Sequence, residues 1–212
     1  DENVRSTEVA LLYKPHGTTV GHQAADNLTI GFMAHEHQWI PGTGDYKYPS
    51  NPPEHVAWYK QTVARTGVVV DEVSQYPQGL STSQFATDGS HSSAGRLLHF
   101  VALPSVSLVA AETDKVYENV DLRRTLVLRA PYVIDLYEVR SDEQHQYDWV
   151  LHVDGVEAGV TVQQQAQPGT LGAQAGYQHI VDVRRGVTDE TWSAVWERSS
   201  QGSASALRVT ML

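Results

Sequence analysis

Two alternating runs constrain this chain most. Tyr132-Val133-Ile134-Asp135-Leu136-Tyr137-Glu138-Val139 and Tyr147-Asp148-Trp149-Val150-Leu151-His152 each interleave large apolar residues with polar or small ones. Both are rich in β-branched and aromatic side chains, and on an extended backbone residues two apart share a face. Such runs predict strands with one buried face. The polar connector Arg140-Ser141-Asp142-Glu143-Gln144-His145 predicts a hairpin loop between them. Asp135 and His152 interrupt the apolar faces and need hydrogen-bonding partners once buried.

The same texture recurs at 9–13, 28–34, 56–62, 68–70, 97–102, 106–112, 122–128, 179–183, 191–196 and 207–211. Turn chemistry separates the runs, as in Pro15-His16-Gly17, Pro41-Gly42-Thr43-Gly44, Asn51-Pro52-Pro53 and Asp154-Gly155. No long segment places apolar residues at helical spacing. The expectation is an all-β fold: a large antiparallel β-sandwich of about twelve strands, in a single domain over residues 1–212. Two stretches, 74–95 and 163–176, read as loops, dense in Ser, Gln, Thr and Gly.

Charge narrows the partners. The chain has 15 Lys+Arg against 25 Asp+Glu, a formal charge of -10. A field of that sign disfavours nucleic acid and anionic membrane surfaces, although a local basic groove can still hold an acidic ligand. There is no cysteine, which excludes disulfides and thiolate metal sites. No run approaches the ~18 apolar residues of a membrane span. Asp1-Glu2-Asn3-Val4-Arg5 lacks an apolar signal core.

Ten histidines invite attention. His35 and His37 flank Glu36 and would share a strand face, the spacing of a cupin-like metal pair, but no further carboxylate follows in the right rhythm. A more coherent chemistry runs from Gly42-Thr43-Gly44-Asp45-Tyr46-Lys47-Tyr48 to Trp58-Tyr59-Lys60 and Arg65. Aromatic rings stack on pyranose faces and cations hold carboxylates, so this mixture suits an acidic sugar. Exposed aromatics in an ordinary hairpin loop are the plainer reading. Trp192 and Trp196, four apart, share a face and suit core packing. Nucleophile-elbow, phosphate-loop and dinucleotide fingerprints are all absent.

The order of short motifs carries a resemblance. It runs from His22, Asp26 and Phe32 through Gly42-Thr43-Gly44-Asp45-Tyr46 to Tyr59, Thr62-Val63-Ala64-Arg65-Thr66-Gly67-Val68-Val69-Val70-Asp71 and Gln75. It continues with Arg123-Arg124-Thr125-Leu126, Tyr132-Val133-Ile134-Asp135, and the run from His145 to His152. Over nearly the whole chain this resembles the C-terminal β-sandwich region of the heparinase II/III-like polysaccharide lyases, a group that includes alginate lyases. The resemblance implies β-elimination at a uronic acid, in a cleft between this sandwich and an N-terminal (α/α) toroid supplied in cis or in trans. It implies catalytic roles for His22, Tyr46 and Tyr59; Arg65, Lys47 and Trp58 are the substrate contacts expected from the aromatic and cationic composition of the segment. It further implies an acidic polysaccharide partner such as alginate, ulvan or a glycosaminoglycan, and a periplasmic or secreted location.

The departures from the family pattern matter as much. The second histidine of a His-x-His-x-Asp pattern is Ala24, the expected aspartate is Gly42, and a further histidine is Arg65. All three would be zinc ligands, and a structural zinc needs about four donors. The expectation is therefore no zinc and no other cofactor, with Arg65 supplying a fixed positive charge. The competing reading is a non-catalytic carbohydrate-binding or domain-packing sandwich. Asp135, Tyr147, Asp148 and His152 are expected to be framework, their polar groups bonding one another or the turn.

Overall fold

The alternating runs do fold as strands. The computed structural model describes residues 6–14, 24–41, 55–75, 93–200 and 203–212. Among these the strands are β1 (Thr7–Leu12), β2 (Thr29–Ala34), β3 (His37–Ile40), β4 (Val68–Val70), β5 (Arg96–Ala102), β6 (Ser107–Thr113), β7 (Asp121–Arg129), β8 (Tyr132–Arg140), β9 (Tyr147–Trp149), β10 (Val156–Val160), β11 (Gln165–Ala166), β12 (Arg184–Arg185), β13 (Trp192–Ser200) and β14 (Ser203–Met211). They pair antiparallel as β1-β2-β3, β5-β6-β7-β8, β10-β13-β14, β4-β9 and β11-β12. This is an all-β sandwich, with fourteen strands among the described residues where about twelve were expected; β11 and β12 are two-residue pairs.

The β1–β3 sheet faces the β5–β8 sheet across the core. Ile30, Phe32, Ala34, Trp39 and Ile40 meet Leu126, with Val109 and Val133 packed alongside and Trp196 and Leu207 closing one end. A second cluster joins Leu28 and Val68 to Ala111, Val116, Val120 and Leu122. Trp196 therefore packs at the core edge, as its spacing suggested.

Three sequence expectations fail here. The run at 147–153 is not the hairpin partner of 132–139: β8 pairs with β7, and β9 pairs with β4 in another sheet. The connector therefore crosses from one sheet to another. Arg124 of β7 is fully buried, and its Nε and Nη2 donate to the two carboxylate oxygens of Asp135 at 2.9 and 2.5 Å. Its Nη1 donates to the carbonyls of Leu28 and Thr66 at 2.7 and 2.9 Å, and its guanidinium lies 5.1 Å from the Tyr137 ring centroid. One side chain thus ties β7 and β8 to the segments before β2 and β4. The runs at 56–62 and 179–183 are not strands either; they hold a π-helical turn (His55–Tyr59) and the end of a 3-10 turn (Tyr177–His179).

β9 is kept on β4 by a polar clamp. Asp71 follows β4 with φ +52, its carboxylate accepts from Gln146 N at 2.8 Å, and His145 Nδ1 lies 2.6 Å from its other oxygen. The hydrogen bond from His145, and then that from Gln146, hold the Asp71 carboxyl below the ordinary carboxylate range. A depressed carboxylate stabilises the fold above its unfolded pKa, and that contribution is lost as pH falls through the folded value. Asp71→Asn is expected to flatten the fall of melting temperature below about pH 4, read from thermal melts across a pH series.

The outer face of the β5–β8 sheet divides in two. One half is a charge ladder in register across all four strands, Arg96, Glu112, Arg123 and Glu138. A depression of about 430 Å³ lies over it, and the four cations lining it (Arg96, Lys115, Arg123 and Arg140) each pair with a carboxylate. The other half is apolar, with Tyr132, Ile134 and Leu136 of β8 73%, 56% and 54% exposed.

Candidate functional site

The segment between the first sheet and β4 carries the site. A short apolar run such as 56–62 suits a strand or a turn equally; its polar neighbours decide. Gln61 Nε2 donates to Val56 O at 2.7 Å, Gln61 N donates to Trp58 O at 2.8 Å, and Ser74 Oγ donates to Gln61 Oε1 at 2.5 Å. These bonds close the π-helical turn and pin it to the strand end beyond β4. The following 3-10 turn, Thr62–Ala64, is buried, and Thr62 Oγ1 donates to Ala25 O at 2.8 Å. The result ties Arg65 back to the Trp58–Tyr59 turn: Arg65 Nη2 donates to Tyr59 O at 2.8 Å.

Among the described residues the Arg65 guanidinium donates one hydrogen bond, that to Tyr59 O. Its Nε is buried and has no hydrogen-bond partner. Burial draws its pKa down to about 10, against the opposing pull of Asp26. Asp26 is also ion-paired with Lys14, whose ammonium donates to Ala24 O as well. Lys60 is buried nearby, its ammonium pKa lowered by burial first and then by Lys14. Arg65, Asp26, Thr29 and Thr66 line a depression of about 240 Å³.

Trp58 forms the neighbouring surface. Its ring meets His152 edge-on at 5.9 Å and 90°, and His179 at 6.1 Å and 75°. His152 is framework, as expected, though its partners are not its strand neighbours. Its Nε2 donates to Val63 O at 2.7 Å and its backbone N to Thr66 Oγ1 at 3.1 Å, so it holds both sides of Arg65. Asp148 likewise accepts from Tyr177 OH at 2.5 Å. His152→Ala leaves the Val63 carbonyl without its donor and is expected to cost about 1–3 kcal/mol, read as a lower melting temperature; an unchanged melt would refute the framework role.

The family assignment follows from the whole chain. The family described as Heparinase II/III-like, C-terminal, matches residues 3–208. The chain belongs to this family. This heparinase II/III-like sandwich is 31% identical over 153 residues to an alginate lyase of Stenotrophomonas maltophilia, a match covering 68% of the chain and 20% of that protein. It is 26% identical over 189 residues to an exo-oligoalginate lyase of Saccharophagus degradans, covering 81% of the chain and 25% of that protein. The chain thus spans about a fifth to a quarter of the length of these relatives. Among solved structures it superposes on a heparinase III with a TM-score of 0.58 at 13% identity, over 97% of the chain and 39% of that one. A heparan sulfate lyase from Pedobacter heparinus gives 0.58 at 12% identity, over 97% and 32%. At these identities the structural likeness is one of fold.

Of the site residues expected from the sequence, Trp58 and Tyr59 lie on the turn to which Arg65 is hydrogen-bonded; His22, Tyr46 and Lys47 lie outside the described residues. His35 and His37 do not share a strand face. His35 and Glu36 occupy the β2–β3 turn with φ +52 and +64, while the His37 ring packs edge-on against Trp39 at 6.0 Å. Lys14 and His179 were missed. Lys14 stands before a turn with no motif around it, and His179 opens an apolar run that reads as a strand.

The zinc that the resemblance would place at Ala24, Gly42 and Arg65 does not fit the residues described. Ala24 offers no donor, and Gly42 lies outside the described residues. Arg65 puts a guanidinium there, disfavoured by burial and coupled to the Lys60 ammonium, with Asp26 as the opposing charge. A divalent cation would meet like charge.

Proposed function

We propose that this chain is the β-sandwich part of a polysaccharide lyase that cleaves a uronate-containing polysaccharide by β-elimination. The observation that carries the reading is Arg65, a half-buried guanidinium bonded to the backbone of the Trp58–Tyr59 turn and lining an open depression with Asp26, Thr29 and Thr66. A substrate carboxylate paired with Arg65 would lose its charge, which makes the C5 proton more acidic and stabilises the enolate-like transition state. His22, Tyr46 and Tyr59 are the candidate base and acid. One takes the C5 proton, the electron pair forms the new double bond, and another protonates the departing glycosidic oxygen. Lys47 and Trp58 would hold neighbouring sugar. An N-terminal (α/α) toroid, in cis or in trans, would supply the remaining groups. The relatives' activities support an acidic glycan such as alginate, ulvan or a glycosaminoglycan, and a periplasmic or secreted place of work suits such a substrate.

The test mixes the purified chain with alginate, ulvan, heparin and hyaluronan and follows the absorbance of the unsaturated product. Retention on one immobilised glycan, with product formed only when a toroid partner is added, is the expected result. A second reading, a domain-packing sandwich without a catalytic part, is favoured by the exposed apolar face at Tyr132, Ile134 and Leu136. Failure to bind any glycan, with or without the partner, would favour it.

A further inference from the structure

Residues 171–180 are held against the 58–63 turn more firmly than a surface excursion requires. Gly176 has φ +95, and a Cβ there would stand 2.6 Å from Val63 Cγ1 and 3.1 Å from Gln61 Cβ, so its backbone lies directly against those two side chains. Tyr177 is buried, and its hydroxyl donates to Asp148. Leu171 N donates to Ile180 O at 2.9 Å, and both side chains pack with Trp58 around Val63, Val69 and Tyr177. The polar group this anchoring presents to solvent is His179, exposed, its ring edge-on to Trp58 and its Nε2 3.3 Å from Gln178 Nε2.

We propose that Trp58 and His179, with Gln178, form a sugar subsite for the uronate residue next to the one at Arg65. The inference rests on the glycan reading of the Arg65 face. The partly exposed indole offers an apolar plate to the C–H face of a pyranose. The imidazole and amide beside it give the donors and acceptors that hydroxyl and carboxylate groups need. The two groups share one turn, because Arg65 donates to the carbonyl of Tyr59, the residue after Trp58.

The test titrates the isotopically labelled chain with an alginate tetrasaccharide and follows the histidine ring signals by NMR. The His179 signals, identified by their absence in His179→Ala, are expected to shift saturably. The affinity of His179→Ala should fall about tenfold, the effect of one lost hydrogen bond to a charged group, with the melting temperature unchanged because the side chain is exposed. Binding that leaves the His179 signals and the His179→Ala affinity unmoved, yet weakens in Arg65→Met, overturns the subsite and leaves the Arg65 reading standing. No binding by the wild-type chain overturns both.

Discussion

Asp135→Ala is expected to lower the melting temperature by roughly 10 °C. The substitution leaves Arg124, fully buried, with no carboxylate. Breaking a buried pair from one side costs about 3–5 kcal/mol, because the remaining charge is uncompensated. At about 2–4 °C per kcal/mol for a chain of this size, that is a large shift. The two hydrogen bonds from Nη1 to Leu28 O and Thr66 O persist and hold the guanidinium in place, so it cannot escape to water. Arg124→Met combined with Asp135→Leu removes both charges and is expected to regain part of the loss. The rest stays lost, since the two carbonyls no longer have a donor. A melt of Asp135→Ala within 2 °C of wild type, an interval about that of 1 kcal/mol, would show that the pair does not staple the sheets.

This ion pair also explains what the sequence could and could not reveal. Alternation made the strands of the β5–β8 sheet legible, because side-chain period does not depend on which strand lies alongside. Pairing did depend on it. The apolar Ile134 and Leu136 look like the buried face of β8, yet they point outward, and Val133, Asp135, Tyr137 and Val139 point in. Asp135 faces inward because Arg124, on the neighbouring strand, meets it there, and no local pattern announces that contact. The site was legible as a composition, aromatics and cations from 58 to 65, but not as a shape. The turn that groups Trp58 with Arg65 depends on Gln61 and Ser74, thirteen positions apart. His179 arrives through Gly176 and Tyr177, whose partners lie in two other segments, 61–63 and β9.

Arg65→Met is expected to separate stability from binding. The guanidinium is desolvated, its Nε lacks a partner, and its pKa is already drawn down to about 10 by burial. Replacing such a group with an apolar side chain of similar reach removes a cost that Asp26 offsets only in part, and Asp26 keeps Lys14. The melting temperature of Arg65→Met should therefore equal or exceed that of wild type. Glycan binding should move the other way. Truncating one partner of a desolvated charge pair costs about 2–5 kcal/mol, so retention on an immobilised uronate polymer should fall at least about thirtyfold. Metal analysis of the wild-type chain belongs to the same experiment: zinc bound at one equivalent beside Arg65 would mean that the guanidinium does not occupy the ligand position, and the assignment of Arg65 to a substrate carboxylate would fail with it. An unstable Arg65→Met with unchanged glycan retention would instead make Arg65 a structural residue whose partner is the Tyr59 carbonyl.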